Sequence, residues 1–180
     1  IHLLSSYIIF RLKDTTLPKH LMRNKVPLLR ATWFVRIIFL NKKFAYWLIP
    51  FTNQEPIDQA PKHWTSILLA NLKENIQRVA NPANKGEREF LLYLVRLTSW
   101  NYREGMLNSE LLFRGLVGFL HEFSKPEELC LLFPILFEFL FDISKMSKVL
   151  IRQLIEWAVE KSIQVFFNLL QNLIEKPAQT

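Results

Sequence analysis

The sequence predicts an all-α protein, an irregular multi-helix array of about seven to nine helices, with a solenoid-like arrangement left open. Three observations predict it. Half of the 180 residues are hydrophobic, enough to bury a sizeable core and too many for a disordered chain. Only four glycines accompany the abundant Leu, Ile and Phe, so β-hairpins would lack their preferred turn residues. Long stretches carry apolar residues at three- and four-residue intervals, punctuated by prolines and capping residues. The spacing is too uneven for a known repeat.

Each element has its own local cause. Leu3 to Lys13 is a short apolar helix candidate, and Thr16-Leu17-Pro18 offers a cap and an N-terminal proline for a helix through Arg23. Pro27 opens the next helix at its first position, and Ile49-Pro50 ends it near Trp47. Its Val26 to Asn41 segment is apolar around most of its circumference, with Arg30 and Arg36 set into it. Thr52 to Ala60 reads as a loop before a helix from Pro61 to about Ala80. In that helix Trp64, Ile67, Leu68, Leu72, Ile76 and Val79 form the apolar stripe, while Lys62, Asn71, Lys73, Glu74 and Gln77 take the other faces.

Asn81 to Gly86 is the clearest linker. It divides an N-terminal helical part, residues 1–80, from a C-terminal part, residues 87–180, and the two can still pack as one domain. Glu87 to about Asn101 forms a helix that buries Phe90, Leu91, Leu94, Leu97 and Trp100. Gly105 fits a helix end needing positive φ, and Asn108 caps a helix that turns Leu111, Leu112, Leu116, Phe119, Leu120 and Phe123 inward. Gly115 and Gly118 within it point to close helix packing. The Ser124 to Glu128 stretch supplies a cap, a proline and two acids for the following helix, which Pro134 bends or divides. Ser147 caps a last helix from Lys148 to about Lys176, with a break near Lys161.

The chemistry is notable for what it lacks. His2, His20, His63 and His121 lie on four different elements without metal-ligand spacing. Cys130, the single cysteine, cannot form an internal disulfide and reads as a buried packing residue in an apolar helix. Glu127 and Glu128 are helix-start acids, and Glu55 and Asp58 sit in a loop, so no acid–base pair is advertised. No phosphate loop is present, since Gly115-Leu116-Val117-Gly118 lies inside a helical pattern. The reading is a non-enzymatic chain without a cofactor.

Twenty-three Lys and Arg against 16 Asp and Glu give a formal charge of +7. That permits acidic proteins, nucleic acid or anionic lipid as partners. Helical periodicity spreads the cations of the first quarter around their helices, which favours protein contacts over a nucleic-acid surface. A basic helical module that binds nucleic acid stands as the alternative function. The longest apolar run, Leu129 to Phe141, is interrupted by Pro134 and Glu138 and is too short for a membrane span. The start at Ile1, without a signal-peptide pattern, reads as that of a fragment.

Four segments resemble, in order, the N-terminal region of Mediator of RNA polymerase II transcription, subunit 12. Val26, Pro27, Arg30, Ala31 and Trp33 look like that family's Val-Pro followed by Arg-Ala-x-Trp. Gly105-Met106-Leu107-Asn108 is similar to its Gly-Met-Leu-Asp segment, with Asn keeping the capping role. Glu127-Glu128-Leu129 leading into Leu131-Leu132-Phe133-Pro134-Ile135-Leu136 resembles its acidic start to a Leu-Leu-x-Pro-Leu-Leu helix. Leu154-Ile155-Glu156-Trp157-Ala158-Val159 looks like its Leu-Cys-Glu-Trp-Ala-Val signature, with Ile155 in place of Cys.

The resemblance implies a fragment, of fungal type, of a nuclear scaffold subunit in the Mediator kinase module. It implies as partners the Mediator cyclin-dependent kinase, cyclin C, Mediator subunit 13 and the larger Mediator assembly, with RNA polymerase II transcription as the process regulated. In that family a segment before the helical body contacts and activates the kinase, and Ile1 to Lys25 do not align with it. Arg30, Trp33, Arg36, Lys42 and Lys43 are the candidate partner contacts. The two arginines interrupt a wide apolar surface, so each needs water, an internal carboxylate or an acidic partner.

Overall fold

A computed structural model describes residues 16–37, 59–81 and 87–174, with side chains as far as Phe167. Seven helices occupy the described residues, with no strand among them. They are α1 (Leu17–Arg23), α2 (28–37), α3 (Gln59–Val79), α4 (Arg88–Arg103), α5 (Ser109–Glu122), α6 (Pro126–Met146) and α7 (Lys148–Ile174). The all-α expectation is met. The expected Leu3–Lys13 helix, the Ile49-Pro50 end and most of the linker lie outside the described residues, as do Lys42 and Lys43.

The helix ends follow local chemistry. Pro18 stands in the first turn of α1, while Thr16 at its N-cap makes no side-chain capping bond. The Pro27 carbonyl accepts the Ala31 N–H at 2.9 Å, which places Pro27 just outside α2. Helix α4 ends at Gly105 with φ +67°. There the Gly105 N–H donates to the Tyr102 carbonyl and the Met106 N–H to the Asn101 carbonyl, the paired bonds of a Schellman turn. The same pair closes α1, where Lys25 holds the left-handed position at φ +49°.

Lys125, not Ser124, is the N-cap of α6. Its backbone N–H donates to the Glu128 carboxylate at 3.4 Å, so that acid is buried at the helix start. Pro134 lies inside α6 and removes a donor from the ladder, yet the helix is not divided. Helix α7 also runs through Lys161 without the expected break, and the Ser147 hydroxyl accepts the Leu150 N–H at 3.3 Å as its cap.

Helix α3 packs on α4, α5 and α6, and α5 packs in turn on α6 and α7. These non-sequential neighbours favour an irregular array over a solenoid, in which each unit meets only the next. Leu68, Leu72 and Ile76 of α3, Leu94 and Leu97 of α4 and Leu112, Phe113 and Leu116 of α5 are fully buried in one core. Each contributes roughly 1.5–3 kcal/mol by leaving water. Tyr102, Phe113 and Phe139 join α4, α5 and α6, with ring centroids 5.2–5.9 Å apart.

Three expected placements are corrected. Cys130 is exposed, since the buried arc of α6 runs through Leu132, Ile135, Leu136, Phe139 and Ile143. Trp100 is exposed at the edge of α4, where Thr98 and Asn101 take the buried positions. Asn71, assigned to a polar face, is buried, and its amide donates to the Ile67 carbonyl at 2.9 Å. Tertiary packing chose a wider arc than the apolar stripe, and short polar residues enter it by bonding back to their own helix.

A Cβ on Gly115 would come within 2.5 Å of Leu69 Cδ1, so α3 and α5 touch there because no side chain intervenes. Gly118 faces open space. Gly118→Ala should therefore raise stability by about 0.5–1 kcal/mol through helix propensity. Gly115→Ala should lower it by about 1–2 kcal/mol as Leu69 is displaced. Urea unfolding of the two variants distinguishes them, and equal shifts would refute the close approach.

Candidate partner-binding face

Helix α2 is seated by small and β-branched residues. Ala31, Thr32 and Val35 are buried, and Val26, Leu28 and Phe34 pack against the same core. Two contacts from the α4 side fix its orientation. The Tyr93 hydroxyl donates to the Val26 carbonyl at 3.0 Å, and Arg36 pairs with Glu104 at 3.6 Å. Burial raises the Tyr93 pKa above its usual 10, so the phenol keeps the proton it donates.

With that side against the core, the opposite arc is open. Leu29 is 67% exposed and Trp33 64%, and Arg30 and Arg36 are exposed beside them. At 100° per residue these four fall within one third of the helix circumference. The structure thus brings the three described contact candidates onto one face. It also adds Leu29, which the wide apolar pattern of the sequence could not tell from a core residue. Of the two arginines, Arg36 has an internal carboxylate within ion-pair distance, and among the described residues Arg30 has none.

Five other cations are drawn into pairs. Lys19 and Arg78 share Glu74, Lys73 pairs with Glu122, Arg103 with Glu138 and Arg114 with Glu110. All are exposed to a third or more, so each contributes little stability. No group of three or more His, Cys, Asp or Glu among the described residues could hold a metal. No described helix is long and apolar enough to cross a membrane.

Two further joints hold the body that carries α2. Where α4 passes to α5, the Asn108 side chain accepts the Leu111 N–H at 2.8 Å as predicted. The Asn108 N–H donates to the Thr65 hydroxyl at 2.9 Å, and Thr65 donates to the Pro61 carbonyl at 2.6 Å. Met106 and Leu107 are buried between these bonds. At the other end of α5, Trp157 of α7 donates its indole N–H to the Leu120 carbonyl at 2.9 Å. That carbonyl belongs to the last turn of α5, where no later residue of the helix can bond it. Trp157 is 6% exposed and meets the Phe133 ring edge-on at 5.7 Å.

No family model and no solved structure matches the chain. Curated proteins do. A putative mediator of RNA polymerase II transcription subunit 12 from Dictyostelium discoideum is 28% identical over 137 residues, covering 67% of this chain and 5% of that protein. The Mediator of RNA polymerase II transcription subunit 12 of Arabidopsis thaliana is 26% identical over 185 residues, covering 80% of this chain and 8% of that protein. The chain is similar to Mediator subunit 12 proteins over most of its length. It spans a small fraction of these subunit 12 homologues, both of which lie outside the fungi.

The four segments that resemble subunit 12 fall on the joints just described. Val26-Pro27 is the entry to α2 held by Tyr93, and Gly105 to Asn108 is the turn pinned to α3. Glu128 closes the start of α6, and Trp157 ties α7 to α5. These subunit 12-like residues are therefore spent on structure, while Arg30 and Trp33 of the first segment face outward.

Trp157→Phe keeps the ring and deletes the donor, leaving the Leu120 carbonyl buried without its partner. It should cost about 1–3 kcal/mol in denaturant unfolding, and no loss would mean that water replaces the indole. The Tyr93 shift predicts a pH dependence. Because the folded-state pKa is raised, its contribution is complete below pH 10 and is lost as pH climbs through the folded value. Stability should fall above pH 10, and Tyr93→Phe should fall less steeply over that range when thermal midpoints are compared.

Proposed function

We propose that this chain is a non-catalytic scaffold segment of the Mediator kinase module. It acts in the nucleus, helps to hold and regulate the Mediator cyclin-dependent kinase with cyclin C, and so regulates RNA polymerase II transcription. Similarity to Mediator subunit 12 proteins over 67% and 80% of the chain carries this reading. The exposed face of α2 supplies its contact chemistry. Trp33 is a large amphipathic anchor, and Arg30 and Arg36 flank it with planar donors suited to carboxylates. Lys42 and Lys43, further along the chain, would extend the basic character. Mediator subunit 13 and the larger Mediator assembly are its further partners in this reading.

Reconstitution tests the reading. The chain should co-purify with the kinase and cyclin C, or with subunit 13, when the components are mixed. Trp33→Ala should weaken that association about tenfold or more, and Arg30→Ala by a smaller factor, with the thermal midpoint unchanged because both side chains are exposed. Failure of every pairwise and full-module reconstitution would sink the proposal. Salt-steep binding to short duplex or single-stranded probes would replace it with the nucleic-acid module.

A further inference from the structure

A second apolar surface lies on α6 and α7. Between the two helices, next to the turn that joins them, a groove of about 570 Å³ is lined by Phe137, Leu140, Phe141, Ile151, Leu154 and Ile155. Phe137 and Phe141 are each 67% exposed and Ile155 58%. The Ser144 hydroxyl, also in the wall, is spent on the Phe141 carbonyl at 2.7 Å. From Ile155 the apolar surface runs on along α7 through exposed Val159, Ile163 and Phe166, at intervals of four, four and three residues. A contiguous patch of this kind marks an interaction surface.

The charges around the groove say what covers it. At 100° per residue, Lys148 and Arg152 fall in the same quarter of α7 as Ile155, Val159, Ile163 and Phe166. They therefore stand on the apolar face itself, at its end nearest the turn, and both are exposed. On the α6 rim, exposed Lys145 holds its ammonium 3.9 Å from the centre of the Phe141 ring. Among the described residues, none of the three cations has a carboxylate within ion-pair distance. The acids along this stretch of the two helices are turned elsewhere. Glu138 pairs with Arg103 and Asp142 sits beside the Tyr102 hydroxyl, both on α4. Glu156 and Glu160 lie on the side of the α7 stripe away from the groove. The result is an apolar trough with unpaired positive charge on both rims, which selects a ligand carrying apolar side chains and carboxylates together.

We infer that the α6–α7 groove binds an acidic amphipathic helix of a partner protein. Its apolar side chains enter the trough, and its carboxylates reach out to Lys145, Lys148 and Arg152. Leu or Phe at i, i+3, i+4 and i+7 of such a helix form the face that docks in a groove. The inference is independent of the kinase-module reading and is tested without any Mediator component.

The probe is a fluorescein-labelled peptide of about 15 residues with Leu and Phe at those positions and Asp or Glu elsewhere. A counterpart carries Lys in place of every acid. Fluorescence anisotropy with the purified 180-residue chain should show saturable binding of the acidic peptide, with the basic one weaker by about tenfold or more. Phe141→Ala and Arg152→Glu should each weaken the acidic peptide about tenfold or more. Arg88→Glu makes the same charge change at an exposed position at the start of α4 and should alter binding less than about twofold. The double variant Lys148→Glu with Arg152→Glu should bind the basic peptide more tightly than the original chain does, a gain that a damaged groove would not give. Circular dichroism of every variant should show unchanged helicity, since all these side chains are exposed. Absence of saturable binding, equal affinity for the two peptides, or an Arg88→Glu loss as large as that of Arg152→Glu would each overturn the assignment. So would a concentration-dependent dimer in sedimentation that Phe141→Ala abolishes, because a second copy would then hold the groove.

Discussion

Helix α5 is held at three points, and the positions of the other helices depend on how those points are satisfied. Its first turn is capped by Asn108, whose own backbone is tied to Thr65 of α3. Its middle approaches Leu69 of α3 so closely that a side chain at Gly115 would have to displace that leucine. Its last turn offers the Leu120 carbonyl, which Trp157 of α7 takes. A helix of fourteen residues is marginal by itself. Burial of Leu112, Phe113, Leu116, Val117, Phe119 and Leu120 converts it into the post against which α3, α6 and α7 are set.

The same logic separates the positions that fix the joints from the leucines that fill the core. Leucines in a core exchange for one another at modest cost when volume is kept. A left-handed turn at Gly105, an amide cap at Asn108 and an indole donor at Trp157 each answer one buried backbone group, and few side chains can substitute. Ile155, next to Trp157 in its segment, is exposed on the outer stripe, so packing does not restrict that position and a change from Cys there costs the fold nothing.

Much of the fold was legible because helix ends are written in particular residues. Pro18, Gly105, Asn108, Pro126 and Ser147 all stand at or beside the observed boundaries. The faces were less legible. Periodicity locates the centre of a buried arc but not its width, so Cys130 and Trp100 were placed inside when they stand outside, and Asn71 the reverse. The candidate site shows the same limit. Arg30, Trp33 and Arg36 were legible as contact candidates, but Leu29 looks in sequence like any core residue of α2, and the exposure of Trp33 is not written in its spacing. Their exposure depends on where Tyr93 and Glu104 hold the helix, which is a property of α4.

A chain with this composition has more apolar surface than one core of seven helices takes in, and the excess is not scattered. It is gathered on α2 around Trp33, beside two arginines, and on α6 and α7. Isolated exposed leucines would need no explanation. Stripes at helical spacing do, because contiguous apolar surface supplies a driving force for association. Rigid joints inside and unpartnered faces outside are what the proposed scaffold role would require. A body locked by Asn108, Gly115 and Trp157 can present two such faces without either one deforming the other.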